Sequence, residues 1–291
     1  MTGQRLSIRD TSLYVDVIGN GYPLLLMHGG PGADHWTLKS FRRCADRLTL
    51  VFYDHRCNGR SWGAPVTSFT WDNLTADADA LRERLGFSQW AVLGHSFGGN
   101  VALEYALRYP EHLSHLILLD TGGDSDAARE YAAEGVAARG YGPRTVNLVR
   151  RFFDGQIRPS QMIPAMMRFG GAYYHDPSLR RVVREMLDGG WRTKVRADTF
   201  VYAGRVLLNG WSVMDRLDQI ETPTLVIAGR DDFIFPPEHQ KEIAARIPRA
   251  RLHIVDRAGH NPHDEQPDEV FRALTEFLVS PGSSSTRDPS S

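Results

Sequence analysis

The stretch that most constrains this chain is a short turn at residues 94–98, Gly-His-Ser-Phe-Gly, with Ser96 at its centre. An apolar run at 89–93 precedes the turn and has the length of a buried strand. Residues 99–109 follow with apolar side chains at helical spacing, and Pro110 predicts a stop. A strand that turns directly into a helix strains the residue between them, and the flanking glycines remove Cβ atoms that would collide. The pattern predicts a G-x-S-x-G nucleophile elbow, with the Ser96 hydroxyl at a helix N-terminus.

This turn belongs to a longer alternation of strand and helix patterns. Further apolar runs of strand length occupy residues 22–27, 48–53, 113–119, 224–228 and 251–255. Helical patterns lie between and after them, at 36–48, 72–85, 237–247 and 267–279. Residues 5–18 alternate instead, with a break at 10–12, which predicts an antiparallel hairpin at a sheet edge. The whole predicts a mostly parallel, doubly wound sheet in which ligands bind beyond the carboxyl ends of the strands.

The alternation stops between residues 122 and 219, where the pattern is helical and rich in Arg, Ala and Met. We interpret 1–121 and 220–280 as the core, 122–219 as a helical cap, and the Pro-, Gly- and Ser-rich 281–291 as a disordered tail. The cap's large apolar residues fit either ordinary packing or a pocket wall, and packing is favoured for most of them. These residues are Met162, Met166, Met167, Phe169, Tyr173, Tyr174, Trp191 and Trp211.

A serine nucleophile needs a base, and the base needs a buried acceptor that fixes its tautomer. His260 follows the last predicted strand on a short loop, and Asp232 follows the strand before it. The chain order Ser96, Asp232, His260 is the order of a known Ser-Asp-His arrangement on parallel sheets. We predict these three as the catalytic residues.

Other residues compete for the same roles. Asp231 adjoins Asp232 but would point the other way in an extended turn, and Asp120 also ends a predicted strand. His263 is expected to face solvent or the following helix, and His253 lies within a strand and is interpreted as structural. Asp232 and His260 are preferred, with Asp120 the alternative acid.

An acyl-transfer site also needs two backbone N–H groups that stabilise the developing oxyanion. Phe97, directly after the nucleophile, is predicted to supply one of them. The second is assigned to Gly30, in the glycine-rich loop at residues 28–32 that follows an early strand.

Composition excludes several functions. A formal net charge of −1 gives no electrostatic footprint for nucleic acid or an anionic membrane, and no secretory signal or membrane-spanning run is visible. Cys44 and Cys57 have no metal or redox spacing and are interpreted as free thiols in a reducing, cytoplasmic compartment. We expect a small-molecule substrate and no metal or organic cofactor. Substrate-binding residues and oligomeric state stay open.

The motifs together resemble the α/β-hydrolases of the proline iminopeptidase-like group, over roughly residues 13–277. The resemblance rests on segments 28–32, 54–61, 94–99, 229–232 and 259–260. It implies an α/β-hydrolase fold and serine hydrolysis, and a loop-bracing role for Asp54, Arg56 and Ser61. In two respects the chain departs from the group: Cys57 stands where glycine is usual, and the glutamate segments that hold a substrate's free amino group are missing. Glu185, Asp176 and Asp188 could replace them.

We therefore predict a serine hydrolase that cleaves an ester or amide through an acyl-enzyme. Aminopeptidase, lactonase and carbon–carbon bond hydrolase activities stay open, since all could use the same triad. An epoxide hydrolase or haloalkane dehalogenase is disfavoured because their elbow carries aspartate. A non-catalytic ligand receptor on the same fold is the alternative outside the enzymes.

Overall fold

A mixed sheet of eight strands dominates the computed structural model, which describes residues 3–178 and 193–279. The spatial order is β1-β2-β4-β3-β5-β6-β7-β8. The strands are β1 (Gln4–Ile8), β2 (Thr11–Ile18), β3 (Tyr22–Met27), β4 (Leu48–Tyr53), β5 (Trp90–His95), β6 (Leu113–Leu119), β7 (Thr224–Gly229) and β8 (Ala250–Val255). The β1–β2 and β2–β4 pairs are antiparallel and all others are parallel. The predicted edge hairpin and the mostly parallel sheet are confirmed.

Helices cover both faces of the sheet. Those outside the 122–219 stretch are α1 (Trp71–Arg84), α2 (Phe97–Arg108), α7 (Pro237–Arg246), α8 (Pro262–Glu265) and α9 (Pro267–Val279). The predicted helix at 36–48 is instead a kinked 3₁₀ segment, His35–Cys44, in which Leu38 has non-helical dihedrals. The predicted tail at 281–291 lies outside the described residues.

Side chains that alternate along each central strand fill two separate cores. Leu25 of β3 and Val92 of β5 pack toward α1 and α2, while Leu24 and Leu93 pack toward α9, and all four are fully buried. Strands that are apolar on both faces give continuous apolar runs in the sequence. The doubly wound prediction is confirmed, and the loops at the strand ends are anchored from both sides.

The described part of residues 122–219, called the cap segment below, consists of helices with one isolated bridge, between Asp124 and Ser212. Its helices are α3 (Ser125–Ala138), α4 (Pro143–Phe153), α5 (Met162–Phe169) and α6 (Ala197–Tyr202), the last continuing into a π-helical turn at Ala203–Leu207. Phe152, Phe169 and Phe200 form its own core, together with Phe233 and Phe235 from the loop after β7. That shared cluster places the cap segment over the carboxyl end of β7. The division of the chain into core and cap domains stays a prediction.

In the described residues, 3–178 and 193–279, no helix is both long and apolar enough to span a bilayer.

Candidate active site

Ser96 occupies the strained turn between β5 and α2. Its φ of 53° and ψ of −124° lie in a region that costs a non-glycine residue about 1–3 kcal/mol. A Cβ atom on Gly98 would lie 2.0 Å from the carbonyl oxygen of Met27, and one on Gly94 would lie 2.4 Å from that of Gly98. Only glycine fits at either position, so the turn requires the glycines that flank Ser96.

The structure brings together the three residues predicted as a triad. His260 Nε2 lies 2.9 Å from Ser96 Oγ, and His260 Nδ1 lies 2.9 Å from Asp232 Oδ2. The other oxygen of Asp232 accepts from the Ile234 N–H at 2.8 Å, and the His260 N–H donates to the Tyr173 carbonyl at 2.8 Å. The side chains of Asp232 and His260 are almost fully buried. With Nδ1–H donating to the carboxylate, Nε2 is free to accept the proton of Ser96.

The adjacent Asp231 points away from this line. Its Oδ2 lies 2.7 Å from His175 Nδ1, its carbonyl accepts from Arg139, and its side chain is 37% exposed. Between the two neighbouring carboxylates, Asp232 is therefore the one that can orient His260.

Of the two alternatives for His263, solvent or the following helix, the structure excludes solvent. His263 is fully buried, its Nε2 lies 3.2 Å from the carbonyl of Thr37, and its ring lies 4.9 Å from that of His95. The short helix α8 turns it back into the protein. His253 lies in β8 and pairs with Glu269 at 3.0 Å, away from the triad.

The loop after β3 lies against the elbow, as its predicted position beside β5 requires. A Cβ atom on Gly29 would lie 3.1 Å from that of Ser96, so glycine is needed for this approach. Gly30 has a φ of +51° and lines the same cavity as Ser96. Phe97 begins α2, where its N–H belongs to the helix end that has no intrahelical partner. Both residues assigned to the oxyanion hole border the space in front of Ser96.

Three buried histidines lie behind the site, a feature that sequence analysis did not single out. His28 donates from Nδ1 to the Gly29 carbonyl at 2.9 Å and accepts at Nε2 from the His55 N–H at 3.2 Å. Burial lowers the pKa of His28, and it lowers the pKa of His55 and of His95 well below the ordinary value. These rings are neutral and position the loop.

The bracing role expected of segment 54–61 is visible in its hydrogen bonds. Asp54 accepts from the His35 N–H at 2.9 Å and from the Arg60 N–H at 2.7 Å, and Ser61 Oγ donates to the Asp54 carbonyl at 2.6 Å. Arg56 forms a bidentate pair with Asp77 at 2.6 and 2.7 Å, with both side chains at most 2% exposed. Burial would raise the pKa of Asp54, but the hydrogen bond from His35 lowers it overall.

Cys57 has a φ of +60°, which explains why glycine is usual there. Its Sγ lies 3.6 Å from the carbonyl oxygen of Ala64 and 3.5 Å from that of Pro65. Both Cys57 and Cys44 are buried free thiols, as predicted.

A cavity of about 720 Å³ opens in front of Ser96. Its floor is the sheet edge, with Gly30, Phe97 and His260, and its roof is the cap segment. Among the described lining residues, Asp124 and Arg129 are the only Asp, Glu, Lys or Arg. Asp124 caps the start of α3 by accepting from two backbone N–H groups, and Arg129 pairs with Asp126 and Asp154. Both charged side chains therefore already form hydrogen bonds or ion pairs within the protein.

Most of the cap residues expected to be ordinary packing turn out to line this cavity. Phe169 is fully buried in the cap core, and Trp211 packs in the main core with its Nε1 donating to Glu104. Trp191 lies outside the described residues. The remaining five, which are Met162, Met166, Met167, Tyr173 and Tyr174, line the cavity. Three of them, Met162, Met166 and Tyr173, also pack against the core of the cap segment, so for these three both interpretations hold. Residue type showed that these side chains are apolar, but which of them meet a void depends on how the helices pack over the sheet.

Of the three candidate amine-holding carboxylates, the described structure contains only Asp176. Asp176 is exposed and is not among the lining residues, whereas Glu185 and Asp188 lie outside the described residues. Among residues 3–178 and 193–279, no three His, Cys, Asp or Glu side chains are grouped as metal ligands.

Comparison with known proteins agrees with this geometry. A family model described as alpha/beta hydrolase fold matches residues 22–267. The chain is 28% identical over 278 residues to a 2-hydroxy-6-oxo-6-phenylhexa-2,4-dienoate hydrolase of Burkholderia cepacia, covering 92% of this chain and 91% of the relative. It is 28% identical over 267 residues to a proline iminopeptidase, PfmaB, of Pestalotiopsis fici, covering 88% and 92%. The solved structure of a Mycobacterium smegmatis proline iminopeptidase superposes with a TM-score of 0.76 at 25% identity, covering 95% of this chain and 97% of that one. The resemblance and the fold class deduced from the sequence are confirmed.

Proposed function

This chain belongs to the α/β-hydrolase fold family, and from that premise we propose that it is a serine hydrolase that cleaves an ester or amide of a small substrate through an acyl-enzyme. The proposal depends on the hydrogen bonds that link Asp232 to His260 and His260 to Ser96, each 2.9 Å long. This series of hydrogen bonds ends at the cavity floor, where a substrate carbonyl can reach the hydroxyl.

Each group has a defined part in the reaction. His260 Nε2 takes the Ser96 proton as Oγ attacks the carbonyl carbon, and the N–H groups of Phe97 and Gly30 stabilise the oxyanion. His260 then returns the proton to the leaving group. Water, activated by the same nitrogen, releases the acyl group. Asp232 stays ionised, holds the imidazole and stabilises its protonated form.

The cavity favours an apolar, uncharged acyl group. Phe152, Met162, Met166 and Phe200 contribute to its roof. Of the charged residues in its described lining, Asp124 caps a helix and Arg129 is ion-paired. An ammonium group that enters without a partner loses its hydration and gains no compensating charge. We propose that this surface determines substrate choice.

Carbon–carbon bond hydrolysis is a second candidate, because three of the curated relatives are named as hydrolases of 2-hydroxy-6-oxo-dienoate or -trienoate compounds, at 26–28% identity. Such substrates carry a carboxylate, for which Arg129 is the one described cation in the cavity wall. Its pairing with Asp126 and Asp154 places this candidate second.

The test combines labelling with a substrate panel. A fluorophosphonate should label Ser96, and Ser96→Ala should lose about 10⁴-fold or more in turnover while remaining folded. Short acyl esters, aminoacyl arylamides, lactones and a 2-hydroxy-6-oxo-dienoate should be assayed side by side. Label on another residue, or near-full activity in Ser96→Ala, contradicts the mechanism. Labelling without any turnover favours a receptor.

A further inference from the structure

A second carboxyl group lies behind the predicted acid. Asp120 directly follows β6, is fully buried and has a φ of +42°, a left-handed conformation that aspartate tolerates better than most residues. The mechanism above gives it no part. A buried acid at a strand end beside the triad therefore needs an explanation.

The hydrogen bonds of Asp120 fix it against the loop that carries Asp232. Its backbone N–H donates to Ile227 at 2.9 Å, and its Oδ1 accepts from the Gly229 N–H at 2.7 Å. The carbonyl of that same Gly229 accepts from the Asp232 N–H at 3.2 Å. Gly229 thus hydrogen-bonds to both aspartates, through its N–H to Asp120 and through its carbonyl to Asp232.

The second oxygen of Asp120 has no donor. No described residue donates to Oδ2, although the atom is buried, and the group that its carboxyl does reach for hydrogen bonding is the carboxyl of Asp232. Two carboxylates cannot share this space while both are ionised, so one of them carries a proton. Asp232 already accepts from the His260 ring and from the Ile234 N–H, which is the environment of an ionised acceptor. The proton therefore belongs on Asp120.

We propose that Asp120 is a protonated positioning residue, which donates a hydrogen bond from Oδ2 to Asp232 and so holds the carboxylate that orients His260. This inference rests on the proposed serine hydrolase function. Burial and the charge of Asp232 raise the pKa of Asp120 well above its ordinary value, which agrees with the assignment. The donated hydrogen bond stabilises the ionised carboxylate of Asp232 and fixes its rotamer.

Other titratable groups surround the pair on neighbouring elements. They interact electrostatically with Asp120 or Asp232 and therefore contribute to the pH dependence of kcat/KM. They are His260 after β8, Glu265 in α8, Tyr173 of the cap segment and His239 in α7.

Two substitutions at Asp120 distinguish hydrogen-bond donation to Asp232 from a purely steric role. Asp120→Asn keeps an acceptor for Gly229 and supplies N–H donors toward Asp232, whereas Asp120→Ala removes both. Per active site titrated with the fluorophosphonate, we expect Asp120→Ala to lose about tenfold in kcat with little change in KM, the loss of one hydrogen bond to a charged group. The carboxylate of Asp232 then loses a hydrogen-bond donor and attracts the protonated His260 ring more strongly, so the acid limb of kcat/KM should move to higher pH. Asp120→Asn should retain most of kcat and the wild-type limb.

Infrared spectroscopy supplies a readout that needs no turnover. The wild-type protein at neutral pH should show the band of a buried protonated carboxyl group, which Asp120→Asn removes and Ser96→Ala retains. The proposal is overturned if the band is missing, if it persists unchanged in Asp120→Asn, or if Asp120→Ala leaves the acid limb in place. It is equally overturned if Asp120→Asn loses as much activity as Asp232→Asn, because Asp120 would then be the ionised acid. A protein with the band but no labelling or turnover contradicts only the serine hydrolase function.

Discussion

The floor and the roof of the cavity are built in different ways. On the sheet side, polar groups such as His28 and Asp232 are buried, and backbone and side-chain hydrogen bonds fix each one. On the cap side the described wall is mostly aromatic rings and thioethers, and the charged residues in it, Asp124 and Arg129, bind their own chain. Hydrogen bonds fix direction, whereas methionine adapts its shape to what it contacts. The comparison teaches that the floor is suited to positioning a reaction and the roof to selecting a substrate.

The largest expected effect comes from a substitution in the cavity floor that keeps the shape of the side chain. Asp232→Asn should lower turnover by roughly 10⁴-fold because the amide favours the wrong imidazole tautomer. The matched control Asp231→Asn, whose side chain contacts His175 instead, should cost far less. Steady-state kinetics on both variants give the answer. If Asp231→Asn loses far more turnover than Asp232→Asn, the catalytic acid is Asp231. If only Asp120→Asn loses much turnover, the acid is Asp120 at the end of β6.

A second prediction tests whether the floor is held rigid by buried ion pairs. Arg56→Ala leaves the buried carboxylate of Asp77 with the partly exposed Arg9 as its ion-pair partner and should lower the free energy of unfolding by up to about 3–5 kcal/mol. Arg246→Ala is the control, since its pair with Glu242 is nearly half exposed on both sides and should contribute about 0–1 kcal/mol. Urea unfolding measures both. Equal losses would mean that the 54–61 loop does not depend on this brace.

A third prediction concerns the roof. An N-acylated alanyl arylamide should be cleaved with a kcat/KM on the order of 100-fold above that of its free-amine counterpart, because an unpaired ammonium is costly to desolvate in this cavity. The two substrates share the leaving group and the scissile amide bond, and the N-acyl group removes the positive charge. A clear preference for the free amine would restore the iminopeptidase assignment. Glu185, Asp176 and Asp188 would then be the first residues to substitute.

A fourth prediction is a slope in stability against pH. The folded chain keeps a proton on Asp120 that the unfolded chain releases above about pH 4, because the folded pKa is raised. Stability from this group is therefore complete at low pH and is lost as the pH rises, by up to about 1.4 kcal/mol per pH unit. The difference in unfolding free energy between Asp120→Asn and wild type should grow in favour of the variant from about pH 5 to about pH 8. The buried histidines contribute equally to both proteins and cancel. A flat difference would mean that Asp120 is ionised in the folded state.

Much of the floor could be predicted from sequence because its signals are local. The glycines around Ser96 are needed by a turn that closes within five residues, and each apolar run is a strand whose end delivers the next loop. Parallel strands bring those ends to one edge, so the chain order of Ser96, Asp232 and His260 was enough to predict that they meet.

Tertiary structure alone decided the rest. Adjacent residues Asp231 and Asp232 diverge because the turn after β7 sends one to His175 and the other to His260. Helix α8 buries His263, for which the sequence left solvent or the following helix open. Helical spacing marked Met162 and Met166 as apolar without saying whether a neighbour or a void lies opposite them. The proximity of Asp120 to Asp232 joins two strands that are more than a hundred residues apart in the chain. Composition and periodicity determine which surfaces are buried, but the direction of a side chain and what it meets depend on backbone dihedrals and on packing between distant segments.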